Sequence, residues 1–96
     1  MLKTKRIKIG RKYIQALCMR MQDKSLIVLR GSRGYIMCGY LNLKVAEKFK
    51  DTAAMITGVS TINEALKAKV FSVTSSAKKL GIYTGQPVKD ALGLLV

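Results

Sequence analysis

The sequence predicts an α+β fold, with antiparallel N-terminal strands arranged as hairpins followed by a mixed strand–helix C-terminal half. Three observations lead there. Apolar and polar residues alternate through much of the first forty positions, the period becomes helical after Gly39, and threonine or serine precedes three later amphipathic stretches. The chain has 96 residues, a single proline and just under half hydrophobic residues, which suits one domain over residues 1–96 with a modest core. Residues 1–40 are expected to be mainly β and oligomerising, and residues 41–96 to form the α/β part.

The elements follow from local pattern. Lys5 to Ile9 sets Ile7 and Ile9 on one face, and Gly10-Arg11-Lys12 turns the chain into a second strand, Tyr13 to Met21. In that strand Ile14, Ala16, Cys18 and Arg20 share one face, while Tyr13, Gln15, Leu17, Met19 and Met21 share the other. Gln22-Asp23-Lys24 is the next turn. Leu26-Ile27-Val28-Leu29 is apolar on both faces, the pattern of a central strand covered on two sides. Gly31-Ser32, within the loop Arg30 to Gly34, is a hairpin signal because glycine tolerates the positive φ of a tight turn. Tyr35 to Cys38 is the fourth strand.

Beyond Gly39, Val45, Ala46 and Phe49 form an apolar helical stripe, with Lys44, Glu47, Lys48 and Lys50 facing outward. A strand at Ala53 to Ile56 follows. Thr61-Ile62-Asn63-Glu64 is a capping box that starts a helix carrying Ile62, Ala65 and Leu66 inward. Val70 to Thr74 reads as a strand, and Ser75 or Ser76 begins a short helix ended by Gly81 in left-handed geometry. Thr84 is expected to cap a last helix bearing Val88, Ala91 and Leu92, giving about six strands and three or four short helices.

Composition narrows the function. The uncharged runs Gly34 to Leu43 and Thr52 to Asn63 fall well short of the roughly 20 apolar residues that span a bilayer. No secretory pattern follows Met1, so the expected location is the cytoplasm, without membrane attachment. With no histidine and no Cys-x-x-Cys spacing, neither a metal site nor a cofactor is expected. The net charge of +13 is uneven: up to Lys50, thirteen cations oppose Asp23 and Glu47 alone. Such asymmetry marks either a polyanion-binding face or a lysine-rich surface that guards sheet edges against aggregation.

Arg33 to Tyr40, Arg-Gly-Tyr-Ile-Met-Cys-Gly-Tyr, half-matches the RNA-recognition strand motif. Arg33, Gly34, Tyr35 and Tyr40 fit, but Met37 stands where an aromatic ring should stack on a base, and no helix precedes the segment. Weaker phosphate and base contacts through Arg30, Arg33 and Tyr35 remain open, with Tyr40 a further aromatic candidate. As an enzyme the chain is sparsely equipped, since its five carboxylates are scattered and only Glu47 and Asp51 stand at helical spacing. Cys38 is the one candidate nucleophile: Gly39 beside it allows close approach, and a nearby Lys or Arg could favour the thiolate. Cys18, between Leu17 and Met19, reads as a small buried hydrophobe. The helix starts at Thr61, Thr74-Ser75-Ser76 and Thr84-Gly85 offer hydroxyls and free amides, of which Thr61 is kept as an anion-binding candidate, although ordinary capping explains them all.

Gly34-Tyr-Ile-Met-Cys-Gly39, followed by Gly58-Val59-Ser-Thr61-Ile62, Val73-Thr74, Ala77, Leu80-Gly81-Ile82, Gly85 and Ala91-Leu92, resembles the YunC-like family, a small bacterial and archaeal domain of unknown function. The resemblance covers about Leu26 to Leu92. It implies an N-terminal β region that mediates tetramerisation and a mixed α/β body, and it brings no catalytic residues. The lysine-rich first twelve residues depart from it. The expected function is therefore an oligomeric, non-enzymatic binding module whose ligand is nucleic acid or another polyanion. Two alternatives stand beside it: a thiol-dependent enzyme or small-ligand binder using Cys38 at a subunit-interface cleft, and a purely structural oligomer.

Overall fold

A computed structural model describes residues 2–96. Along the chain run β1 (Leu2–Ile9), β2 (Lys12–Arg20), β3 (Ser25–Arg30), β4 (Tyr35–Met37), α1 (Leu43–Lys48), β5 (Ala53–Met55), α2 (Ile62–Lys67), β6 (Ser72–Val73), α3 (Ser75–Leu80) and α4 (Val88–Leu95). The six strands form one sheet in sequence order, antiparallel except where β4 and β5 run parallel across the α1 connection. The α+β class is as expected.

The β1–β2 hairpin closes through Gly10-Arg11, with Ile9 opposite Lys12 and Gly10 at φ +64°. A positive φ at the first of two turn positions is the geometry that matches strand twist in a tight hairpin. Pairing Lys3 with Cys18 and Cys18 with Ile27 then fixes the faces. One face sets Ile14, Ala16, Ile27, Leu29, Ile36, Ala54 and Ile56 into the main core, where Ala65, Val88, Ala91, Leu92 and Leu95 of α2 and α4 cover them. The other face is covered only over β4 and β5, where Met37 and Ala53 are buried with Ala46 of α1. Over β1–β3 it carries half-buried Leu17, Met19, Leu26 and Val28, so β3, although third of six, is sealed on one side rather than two.

Gly31 does not supply a positive φ. Its need is close approach, because a Cβ there would strike the Leu95 carbonyl, and one on Gly34 would strike the Thr52 carbonyl. The Arg33 N–H donates to the Leu95 carbonyl at 2.8 Å, which clamps the loop to the end of α4. Gly39, by contrast, has open space where a Cβ would stand, so close packing beside Cys38 does not demand it.

The helix starts divide similarly. Thr61 accepts the Glu64 N–H at 3.1 Å, while the Glu64 carboxylate takes the Ser60 N–H at 2.7 Å, a capping box displaced by one residue at its return bond. Thr74 caps α3 and Gly81 ends it at φ +107°. Thr84 does not cap α4, whose cap is Pro87 with no side-chain bond, because Gly85 (φ +92°) turns the chain and donates to the Val70 carbonyl. α1 buries Ala46 and half-buries Leu43 and leaves Val45 and Phe49 exposed, so its inward stripe lies one step round from the expected one. It stops at Lys50, φ +60°, with Lys50 N–H on the Glu47 carbonyl and Asp51 N–H on the Ala46 carbonyl, a Schellman motif without its usual glycine.

Candidate functional site

The sheet places the sequence candidates at opposite ends of β4. Arg30, Arg33 and Tyr35 lie at the end that meets α4, whereas Cys38, Tyr40 and Thr61 lie at the other. At the first end Arg30 donates to the Gln15 side-chain oxygen and Arg33 remains exposed. The Tyr35 hydroxyl donates to the Asp51 carboxylate at 2.7 Å, and its ring packs beside Met37 and Ala46, so it stands in the structure as a packing residue. Partial burial, then the bond to Asp51 and its negative charge, push the Tyr35 phenol up to about 12.

The Glu47–Asp51 pair has separate tasks. Glu47 accepts the Ser75 amide at 2.9 Å and hydroxyl at 2.7 Å, which tie α1 to the start of α3. Those two bonds, with Lys78 and Lys79 nearby, hold its carboxyl below its ordinary value. Asp51 takes the Tyr35 hydroxyl, so each carboxylate braces a contact of its own.

Cys38 is 4% exposed. Its sulfur accepts the Ile27 N–H at 3.3 Å and donates toward the Ser25 carbonyl at 3.8 Å, filling the place of a strand hydrogen bond just past the end of β4. Cys18 is the more accessible thiol: half-buried opposite Lys3, it directs its S–H toward the Ser60 carbonyl at 3.9 Å. The flanking Leu17 and Met19 concealed this from a reading of residue types alone. The register shows it, because Cys18 lies on the core face between buried Ile27 and exposed Lys3, at the margin of the core.

Two depressions meet at that end. One, of about 560 Å³, is lined by Lys3, Lys5, Cys18, Arg20, Ser25, Ser60, Thr61, Ile62 and Asn63. Its neighbour, of about 630 Å³, is lined by Lys24, Ser25, Cys38, Gly39, Tyr40, Thr57, Gly58, Val59 and Ser60. Ser25 and Ser60 belong to both, so they join into one groove between the strand ends and the β5–α2 loop. Lys3, Lys5, Arg20 and Lys24 were counted in the sequence as charge, but nothing in their spacing announced that they converge.

These four belong to a larger cation set on the N-terminal strands. From Leu2 to Tyr40 ten lysines and arginines oppose Asp23 alone, and all ten are exposed. Arg6 stacks over the Tyr13 ring, its guanidinium carbon 4.4 Å from the centroid. Arg6 and Arg30 border a shallow hollow of about 510 Å³ on the uncovered sheet face, floored by Leu17 and Val28. No helix among the described residues is long and apolar enough to cross a membrane.

The fold is an α/β body carrying an N-terminal β-hairpin, and the comparisons give its family. Residues 37–95 match the family model described as Domain of unknown function (DUF1805), and the chain belongs to that family. It is 35% identical over 81 residues to the uncharacterized protein YunC of Bacillus subtilis, covering 80% of each chain. The crystal structure of a protein of unknown function from Thermoplasma acidophilum is similar over 100% of this chain and 94% of that one, with a TM-score of 0.96 and 34% identity.

Proposed function

We propose that the protein is a homo-oligomeric, non-enzymatic binding module, a tetramer, whose N-terminal β region holds nucleic acid or another polyanion. The observation that carries this reading is the exposed cation set of β1–β4 and its turns, opposed by Asp23 alone. Cations spaced along a rigid hairpin neutralise successive phosphates and release their counterions, which gives affinity without sequence preference. The uncovered face of β1–β3, with Leu2 and Tyr13 more than half exposed, supports association with further copies. Oligomerisation would multiply the +13 of one chain and make many weak phosphate contacts act together.

The burial of Cys38 and the two hydrogen bonds of its sulfur support a packing role and give the thiol-enzyme alternative little to rest on. Titration of labelled RNA and DNA at two salt concentrations, with sedimentation analysis of the free protein, tests the proposal. Tight binding that falls steeply with salt is expected; no binding at low salt would overturn the proposal.

A further inference from the structure

We propose that the groove between the sheet's open end and the β5–α2 loop binds a small phosphorylated molecule with a flat or apolar body. The groove has two unlike ends. Lys3, Lys5 and Arg20 line the first, beside the hydroxyls at the join; the carboxylate at the join, Glu64, accepts the Ser60 N–H at 2.7 Å and lines neither depression among the described residues. The second offers the exposed Tyr40 ring, Val59 and glycine backbone without side chains. A dianionic phosphate is stabilised by converging cations and hydroxyl donors, and an aromatic or apolar body by a ring and bare backbone. Each depression lies within the few hundred cubic ångströms, roughly 300–1,000 Å³, that small-molecule sites occupy.

Lys3, Lys5, Arg20 and Lys24 belong to the same exposed cation set, but this site lies away from the cations at the hairpin tip. Lys8 pairs with Tyr13 near the turn and Lys3 with Cys18 near the groove, five residues or roughly 17 Å along the strand. The groove also contains its own reporter. Cys18 lies in the wall of the cationic end, so an occupant shields it, while Cys38, buried in the wall of the other end, reacts only if the fold opens and so reports on unfolding.

The test follows iodoacetamide alkylation of each cysteine in the full chain by peptide mapping, with adenosine 5′-monophosphate, inorganic phosphate or adenosine present. The nucleotide is expected to slow Cys18 alkylation about tenfold at saturation, inorganic phosphate to do so only at higher concentration, and adenosine to have no effect. Ser60→Leu fills the join without changing charge and should abolish protection while leaving RNA binding intact. Removing charge at the tip with Lys8→Gln, Arg11→Gln and Lys12→Gln should do the reverse, so failure of one proposal does not imply failure of the other. Tyr40→Ala, at an exposed position, should weaken protection by the nucleotide and leave that by phosphate unchanged. Absence of protection by nucleotide and phosphate alike, equal protection by phosphate and nucleotide, protection by adenosine, or protection that survives Ser60→Leu would each overturn the assignment.

Discussion

Residues 2–36 and residues 37–95 solve different problems. The C-terminal part coincides with the family model and is held by buried aliphatic side chains, helix caps and backbone turns. The N-terminal part contributes one buried sheet face but otherwise displays cations, half-covered apolar side chains and no helix. Charge is cheap to carry on an exposed hairpin and costly in a core, so one region can bear a recognition surface while the other bears stability. The two share the main core, and their backbones also meet at the Arg30–Gly34 loop, which touches α4 and the residue before β5.

Breaking that seam should have the largest effect. Gly31→Ala or Gly34→Ala forces a Cβ into a carbonyl and should cost about 3 kcal/mol or more in chemical denaturation, whereas Gly39→Ala should change stability by less than about 0.5 kcal/mol. Equal effects at the three sites would show that the loop yields and does not join the halves beyond their shared core.

Within the C-terminal part, Thr74 is the next test. Its buried hydroxyl donates to the Asp51 carbonyl at 2.8 Å and accepts the N–H groups of Ala53 at 3.1 Å and Ala77 at 3.3 Å. Thr74→Val leaves both amides unpaired and should cost about 2–3 kcal/mol. A loss confined to a few tenths would mean that capping, not the link between β5 and α3, is all the residue provides.

A gain is expected at Lys50, whose left-handed conformation suits glycine better than lysine. Lys50→Gly should raise the unfolding free energy by about 0.5–1 kcal/mol, and a decrease would imply that the lysine side chain makes a stabilising contact.

The smallest expected effect is that of Tyr35, whose phenol is only partly withdrawn from water. Its folded value, about 12, lies above the ordinary 10.0, so the neutral form is favoured by folding. The stability it adds is complete below pH about 10 and is lost as pH rises through about 12. The difference in unfolding free energy between wild type and Tyr35→Phe should therefore shrink across that window. A constant difference would show that neither burial nor the Asp51 bond shifts the phenol on folding.

The sheet is legible in the sequence because period-two alternation and Gly10 place Ile14, Ala16 and Cys18 on one face. The caps at Thr61 and Thr74 were legible for the same local reason. What escaped the sequence depends on contacts between distant segments. α1's inward stripe is set by where β4 and β5 lie beneath it, and Thr84 loses its cap because Gly85 pairs with Val70. The groove was hidden for the same reason: Lys3, the Arg20–Lys24 turn and Ser60 belong to three separate segments that only the fold brings together.

The central claim is that the N-terminal hairpin binds polyanions by charge while the remainder supplies the scaffold. It is tested most directly by the salt dependence of RNA binding for wild type and for the triple variant Lys8→Gln, Arg11→Gln and Lys12→Gln. The log–log slope should fall by nearly one unit for each phosphate-contacting cation removed, with the fold's stability changed by less than about 0.5 kcal/mol. An unchanged slope with unchanged affinity would contradict the claim.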